Sequence, residues 1–128
     1  MIAEIRINHN VNLDQAINIP DAAINSDAEI IKHQTHIIDD EMSEEAKKVI
    51  PGNSNKSIYD IMKKCALSEI DEKKLMRYIN QRKRMFIRTP FSRKAADRLN
   101  NCNVPAFKSG SGECNNYPLI NYVCKFKK

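Results

Sequence analysis

The sequence predicts an α+β domain in which amphipathic helices precede a C-terminal β-hairpin, with an acidic, partly irregular segment ahead of them. Three observations carry this. Ile58, Ile61, Met62 and Cys65, and later Leu75, Tyr78 and Ile79, recur three and four residues apart, the spacing that puts side chains on one helix face. Charge divides the chain: residues 1–50 hold 4 Lys/Arg against 10 Asp/Glu, residues 51–128 hold 17 against 6, so a net of −6 and a net of +11 lie behind the overall +5. The closing run Leu119-Ile120-Asn121-Tyr122-Val123-Cys124-Lys125-Phe126 has the β-branched and aromatic make-up of a strand.

In chain order, Glu4-Ile5-Arg6-Ile7-Asn8 alternates polar and apolar, as a short half-buried strand does. From His9 to Asp40 apolar residues are scattered, and Pro20 reads as a breaker. Within that stretch Ser26 to Ile38 reads as one helix, capped by Ser26 or Asp27, with His33 and His36 on its surface. Asp39-Asp40-Glu41 and Ser43-Glu44-Glu45 read as a solvated acidic segment, and Glu44 to Lys48 as an added helical turn with opposite charges three and four apart. Pro51-Gly52-Asn53-Ser54-Asn55 joins two helix breakers to three small polar residues, which predicts a linker. Two parts follow from it, an acidic segment over 1–50 with a short strand and helix, and a basic domain over 53–128.

That basic domain begins with the helix after Ser57. Ala66 to Asp71 makes a short connection with Ser68 or Asp71 as the next N-cap. The second helix carries Lys73, Lys74 and Arg77 and runs into Arg82-Lys83-Arg84. Met85 to Thr89 predicts a strand ended by Pro90. Ser92 is placed to cap a third helix whose narrow face is Ala95, Ala96 and Leu99. Gly110 and Gly112 then predict a flexible loop between the two strands of a terminal hairpin.

The order helix, helix, strand, helix, strand, glycine-rich loop, strand, together with the Ala66-Leu67-Ser68 turn, resembles a winged helix over roughly residues 57–128. Met62 stands where that pattern has a small residue and Glu72 where it has an apolar one. Either the turn is longer than usual or the recognition helix is the one from Ser92 to Asn101. The resemblance implies DNA as partner. Physically, Lys73, Lys74, Arg77, Arg82, Lys83, Arg84, Arg88, Arg93, Lys94, Arg98 and Lys108 are candidates to neutralise phosphates, with Arg82, Arg88, Arg93 and Arg98 able to fork onto guanine edges and Asn80 or Asn100 able to pair with adenine. The expectation is a sequence-specific or architectural DNA-binding regulator that needs no cofactor and no metal. The alternative is a small adaptor or inhibitor that binds an acidic protein partner through the same cations.

Other classes are set aside on pattern. No apolar run approaches the roughly 18 residues of a membrane helix, and the N-terminus lacks the shape of a secretory signal, so the cytoplasm is the expected setting. Cys65, Cys102, Cys114 and Cys124 form no C-x-x-C pair, and the three histidines lie far from them in sequence, which points to buried thiols rather than a zinc site or a disulfide framework. No phosphate-binding glycine loop with lysine, no H-E-x-x-H and no nucleophile elbow is present, so an enzyme is not expected.

Overall fold

The first strand, β1 (Ile2–Arg6), ends at Arg6 with a φ of 45°, a left-handed turn that directs the chain towards helix α1 (Leu13–Asn25). The computed structural model describes residues 1–7, 9 and 12–128, so Asn8, the last residue of the expected strand, lies outside the described residues. Asn12 caps α1 by accepting a hydrogen bond from the Gln15 amide. Pro20 does not break this helix; it sits buried within it. Strand β2 (Ile30–Thr35) follows, then two single turns, α2 (Ile38–Glu41) and α3 (Glu44–Lys47), and the short helix α4 (Ile58–Lys63). Helix α5 (Glu69–Gln81), strand β3 (Met85–Pro90), helix α6 (Arg93–Asn101), a 3₁₀ turn at Ser111–Glu113 and helix α7 (Tyr117–Cys124) complete the chain.

The three strands form one parallel sheet in the order β1-β2-β3. Parallel neighbours need crossovers, and here α1 and α5 supply them. Both pack on one face, where Ile5, Ala16, Ala28, Ile31, Leu67, Leu75, Ile79 and Phe86 make the buried cluster. A parallel sheet that runs in sequence order with its crossovers on one side has the winding of a β/α barrel, whereas a doubly wound sheet reverses direction and covers both faces. Phe107 extends the series: it bridges Arg88 in parallel, and the Lys108 amide donates to the Arg88 carbonyl at 2.9 Å.

The winged-helix expectation is therefore corrected. The helices at 58–63, 69–81 and 93–101 and the strand at 85–90 lie where periodicity and the caps Ser57, Ser68 and Ser92 place them. The expected helix at 26–38 is strand β2 instead. His33 and His36, expected on that helix's surface, are buried together with Lys32 and Thr35 at the strand's far end. The expected terminal hairpin is helix α7. Asn116 caps it by accepting from the Leu119 amide, Pro118 falls in its first turn, and Leu119, Ile120 and Val123 form a helical stripe despite their β-branched content. The sheet also runs across Pro51, since β1 and β2 precede it and β3 follows it.

Candidate functional site

Strands β2 and β3 begin apolar and end polar, and the segment that bridges Arg88 at Phe107 does the same. Ile30-Ile31 precede Lys32-His33, Phe86-Ile87 precede Arg88-Thr89, and Ala106-Phe107 precede Lys108-Ser109. Parallel strands bring these polar halves to one end, the carboxyl end, where α/β folds carry their chemistry. Register then sorts them by face. Ile31 pairs with Phe86 and His33 with Arg88 on the helix side; Lys32 pairs with Ile87 and Gln34 with Thr89 on the other.

On the face away from α1 and α5, the Lys32 amine donates to the Glu4 carboxylate at 2.6 Å. Lys32 is only 3% exposed, so its charge is removed from bulk water and answered by one neighbour. The hydrogen bond from Lys32 holds the Glu4 carboxyl below the usual range; Arg6, at 3.5 Å, and Lys108 add to the effect. Thr89 is fully buried on this face, and its hydroxyl has no hydrogen-bond partner among the described residues. A lysine amine, a hydroxyl and the Gln34 amide at one strand end form a donor set suited to a carboxylate or phosphate.

On the helix side lies a buried chain of charge. Arg88 is held by an ion pair with Glu72 of α5, and Glu72 also takes Arg98 of α6 at 3.4 Å. The same Arg88 nitrogen faces His33 Nδ1 at 3.1 Å and the Gln34 carbonyl at 3.3 Å. His33 Nε2 meets His9 Nε2 at 3.0 Å. Burial, and after it the Arg88 charge, push His33 well below the ordinary histidine range, and His9 moves in the same direction for the same reasons.

Between the two faces stands His36, stacked on Phe91 with ring centres 4.4 Å apart. Its Nδ1 lies 2.8 Å from Glu41, and its Nε2 is 3.4 Å from the Gln34 side chain. The other Glu41 oxygen is buried without a hydrogen-bond partner among the described residues. Beside it opens a cleft of about 550 Å³ bounded by Glu41, Phe91, Ser92, Arg93 and Asn116. Over the end of β3 folds the loop from Lys108 to Glu113, expected to connect two strands of a hairpin. A Cβ placed on Gly110 would stand 3.1 Å from Phe91 and 3.4 Å from Thr89, so glycine permits that approach.

The residues expected to bind DNA do not gather on one surface. Lys73 pairs with Glu69 at 2.6 Å and Lys74 with Asp71 at 3.0 Å, both within α5, while Arg77 is exposed on the same helix. Arg82 contacts Asp21 at 3.1 Å and lies 3.5 Å over the Tyr78 ring; Arg84 reaches Asp27 at 3.6 Å; Lys83 forms the turn between them with a φ of 56°. These residues lie at the amino end of the strands, opposite the polar rim. Arg88 and Arg98, expected to read bases, point into the interior and meet Glu72. Only Arg93, Lys94 and Lys108 stand exposed near the rim. Sequence reasoning missed Glu4, His9, Lys32, His33, Gln34, His36, Glu41, Glu72 and Thr89. The apolar-then-polar strand pattern was the signal available for several of them.

Residues 19–128 match the model of the NeuB family. The chain is 33% identical to an N,N'-diacetyllegionaminic acid synthase of Legionella pneumophila and 30% identical to that of Campylobacter jejuni. Each alignment takes in all of this chain, but only 37% and 40% of those proteins. Among solved structures it superposes with a TM-score of 0.81 on an N-acetylneuraminic acid (sialic acid) synthetase of Leptospira borgpetersenii, 23% identical, over 98% of this chain and 40% of that one. The chain thus spans about two fifths of the length of the proteins it matches. These matches overturn the DNA-binding regulator and the protein-binding adaptor alike, and with them the expectation that the chain is not enzyme-related and that DNA is its partner. Among the described residues no helix is long and apolar enough to cross a membrane.

Proposed function

The chain belongs to the NeuB family, and on that premise we propose that it forms the anion-holding part of a synthase that makes an acidic, N-acylated sugar of the sialic or legionaminic acid kind. The observation that carries this reading is the buried Lys32–Glu4 pair beside the unpartnered Thr89 hydroxyl at the carboxyl end of a parallel sheet. Synthesis of a sugar acid requires a carboxylate-bearing reactant or product to be held in place. Lys32 supplies a positive charge that Glu4 orients, and Thr89 and Gln34 supply neutral polar groups alongside. Low solvent access strengthens such contacts relative to the same groups in water. The buried arginine behind the sheet and the His36–Glu41 pair at its rim then hold the frame. Cys65 and Cys102 are half-buried and Cys114 and Cys124 exposed, so the thiols do not take the buried places expected of them.

A chimera tests the reading. In the Campylobacter jejuni synthase, the segment aligned with this chain is replaced by the chain itself, and the chimera is expressed in a strain lacking its own copy. Formation of N,N'-diacetyllegionaminic acid, followed by mass spectrometry, is the expected result. Lys32→Ala within the chimera is expected to lower product formation by about 10²-fold or more, the scale of a lost preorganised charge contact. A folded chimera that forms no product, or one in which Lys32→Ala retains full formation, would overturn it.

A further inference from the structure

Behind the rim, the directions of the hydrogen bonds from Arg88 to His33 and from His33 to His9 can be assigned. A guanidinium only donates. Arg88 therefore donates to His33 Nδ1 across 3.1 Å, and that nitrogen carries no proton. Neutral His33 must then carry its proton on Nε2, and across 3.0 Å it faces His9 Nε2, which must accept. Only one proton fits between the two facing nitrogens. A second would set N–H against N–H in a buried contact. His9 in turn leads into the helix after β1: its carbonyl accepts from the Asn12 amide at 2.8 Å, and Asn12 is the α1 N-cap.

We propose that Arg88 is a positioning residue: anchored by Glu72, it fixes His33 as the Nε2–H tautomer, and His33 holds His9 and the start of α1 against the carboxyl end of β2. Among the described residues, the groups that act on His33 are Arg88 from β3, His9, and Lys32 and His36 on or beside β2, while Glu72 from α5, Arg98 from α6 and Cys102 act on Arg88 behind it. Arg88 alone among them touches His33 Nδ1. The two protons of this one nitrogen serve three acceptors, Glu72, His33 Nδ1 and the Gln34 carbonyl at 3.3 Å, so one is shared in a three-centre bond and a single side chain touches both the histidine and the backbone of a rim residue. The inference rests on the reading that this rim is the working end of the molecule, but its chemistry is internal to the chain.

With three histidines in the sequence, ¹⁵N-histidine labelling of the intact chain resolves each ring by nuclear magnetic resonance. The expected spectrum shows His33 with its proton on Nε2 and no titration between about pH 5 and 8, the range of an ordinary histidine, and shows His9 with its proton on Nδ1. Arg88→Lys keeps a charge for Glu72 but lacks the planar fork. It is expected to give mixed His33 tautomers and about tenfold faster amide exchange at Asn12, a local opening. Glu72→Gln keeps the shape, frees Arg88, and moves both readouts the same way, so it serves if Arg88→Lys does not fold. Restoration of the wild-type spectrum is expected only with arginine at 88. A proton on Nδ1 of wild-type His33, or unchanged tautomers and Asn12 exchange in either folded variant, would overturn the proposal. A merely structural Arg88 would lower the melting temperature without changing the tautomer. No sugar enters these measurements, so a chimera that makes no product leaves them standing, and they can fail while the chimera works.

Discussion

Lys32 and Glu4 show how a buried charge is tolerated at a strand end. The amine lies in the sheet and the carboxylate at its margin, 2.6 Å away, so the pair keeps one foot in solvent. Because Lys32 holds the Glu4 carboxyl below the ordinary glutamate value of about 4.3, the folded state favours the ionised form. That contribution is fully present above the ordinary value and is lost as pH falls through the lower folded value. Glu4→Gln is therefore expected to destabilise the protein at pH 7, with the difference from wild type shrinking as the pH drops below about 4 in chemical denaturation. Gly110 presents a different constraint, since its backbone lies against Phe91 and Thr89. Gly110→Ala is expected to cost about 1–3 kcal/mol, because the added methyl must displace the Phe91 ring that His36 stacks upon. An unchanged melting curve for this variant would show that the ring moves aside freely.

The repeated element here is a helix that closes in a left-handed turn and hands the chain to a parallel strand. After α1 the turn residue is Asp27 with φ 60°, after α5 it is Lys83 with φ 56°, and after α6 it is Asn103 with φ 54°. In each case the next amide, of Ala28, Arg84 or Val104, returns to a carbonyl five residues earlier. This is the helix stop that glycine most often fills, and none of the three is glycine. Lys83→Gly is expected to raise stability by about 0.5–1 kcal/mol, since it removes the Cβ penalty at positive φ without touching the Asp21 or Asp27 contacts. Denaturant midpoints would measure it. These stops were not legible from residue type, since none of the three turn residues is a glycine. What was legible was local: Ser57, Ser68 and Ser92 cap where their helices begin, and the Leu75 and Leu99 stripes face the interior. What was not legible depended on the whole sheet. Lys32, His33 and His36 are buried because three strands end together there, a fact no window of sequence contains. Leu119 to Val123 is helical because Asn116 and Pro118 start a helix, although its composition suits a strand.

At the scale of the molecule, the two poles of the sheet hold different kinds of cation. The dense cation run Arg82-Lys83-Arg84 lies at the amino end of the strands and ties α5 to Asp21 and Asp27 of the α1 end. Lys32 lies within the sheet towards the other pole. In a parallel β/α arrangement the amino end serves stability and the carboxyl end serves chemistry. Two exposed ion pairs and one cation–π contact at the amino end are together worth about 1–3 kcal/mol. Replacing Arg82 and Arg84 together by Ala is therefore expected to lower the melting temperature modestly while leaving product formation by the Campylobacter jejuni chimera near its unaltered level. Lys32→Ala is expected to do the reverse: Glu4 is partly exposed, so water can take over its hydration and the fold loses little, whereas the rim loses its buried cation. Measuring melting temperature and product formation on the two variants in parallel separates the poles. Equal loss of product from both would mean that the cation run reaches the chemistry after all, and the assignment of the working site to the carboxyl end of the sheet would fall.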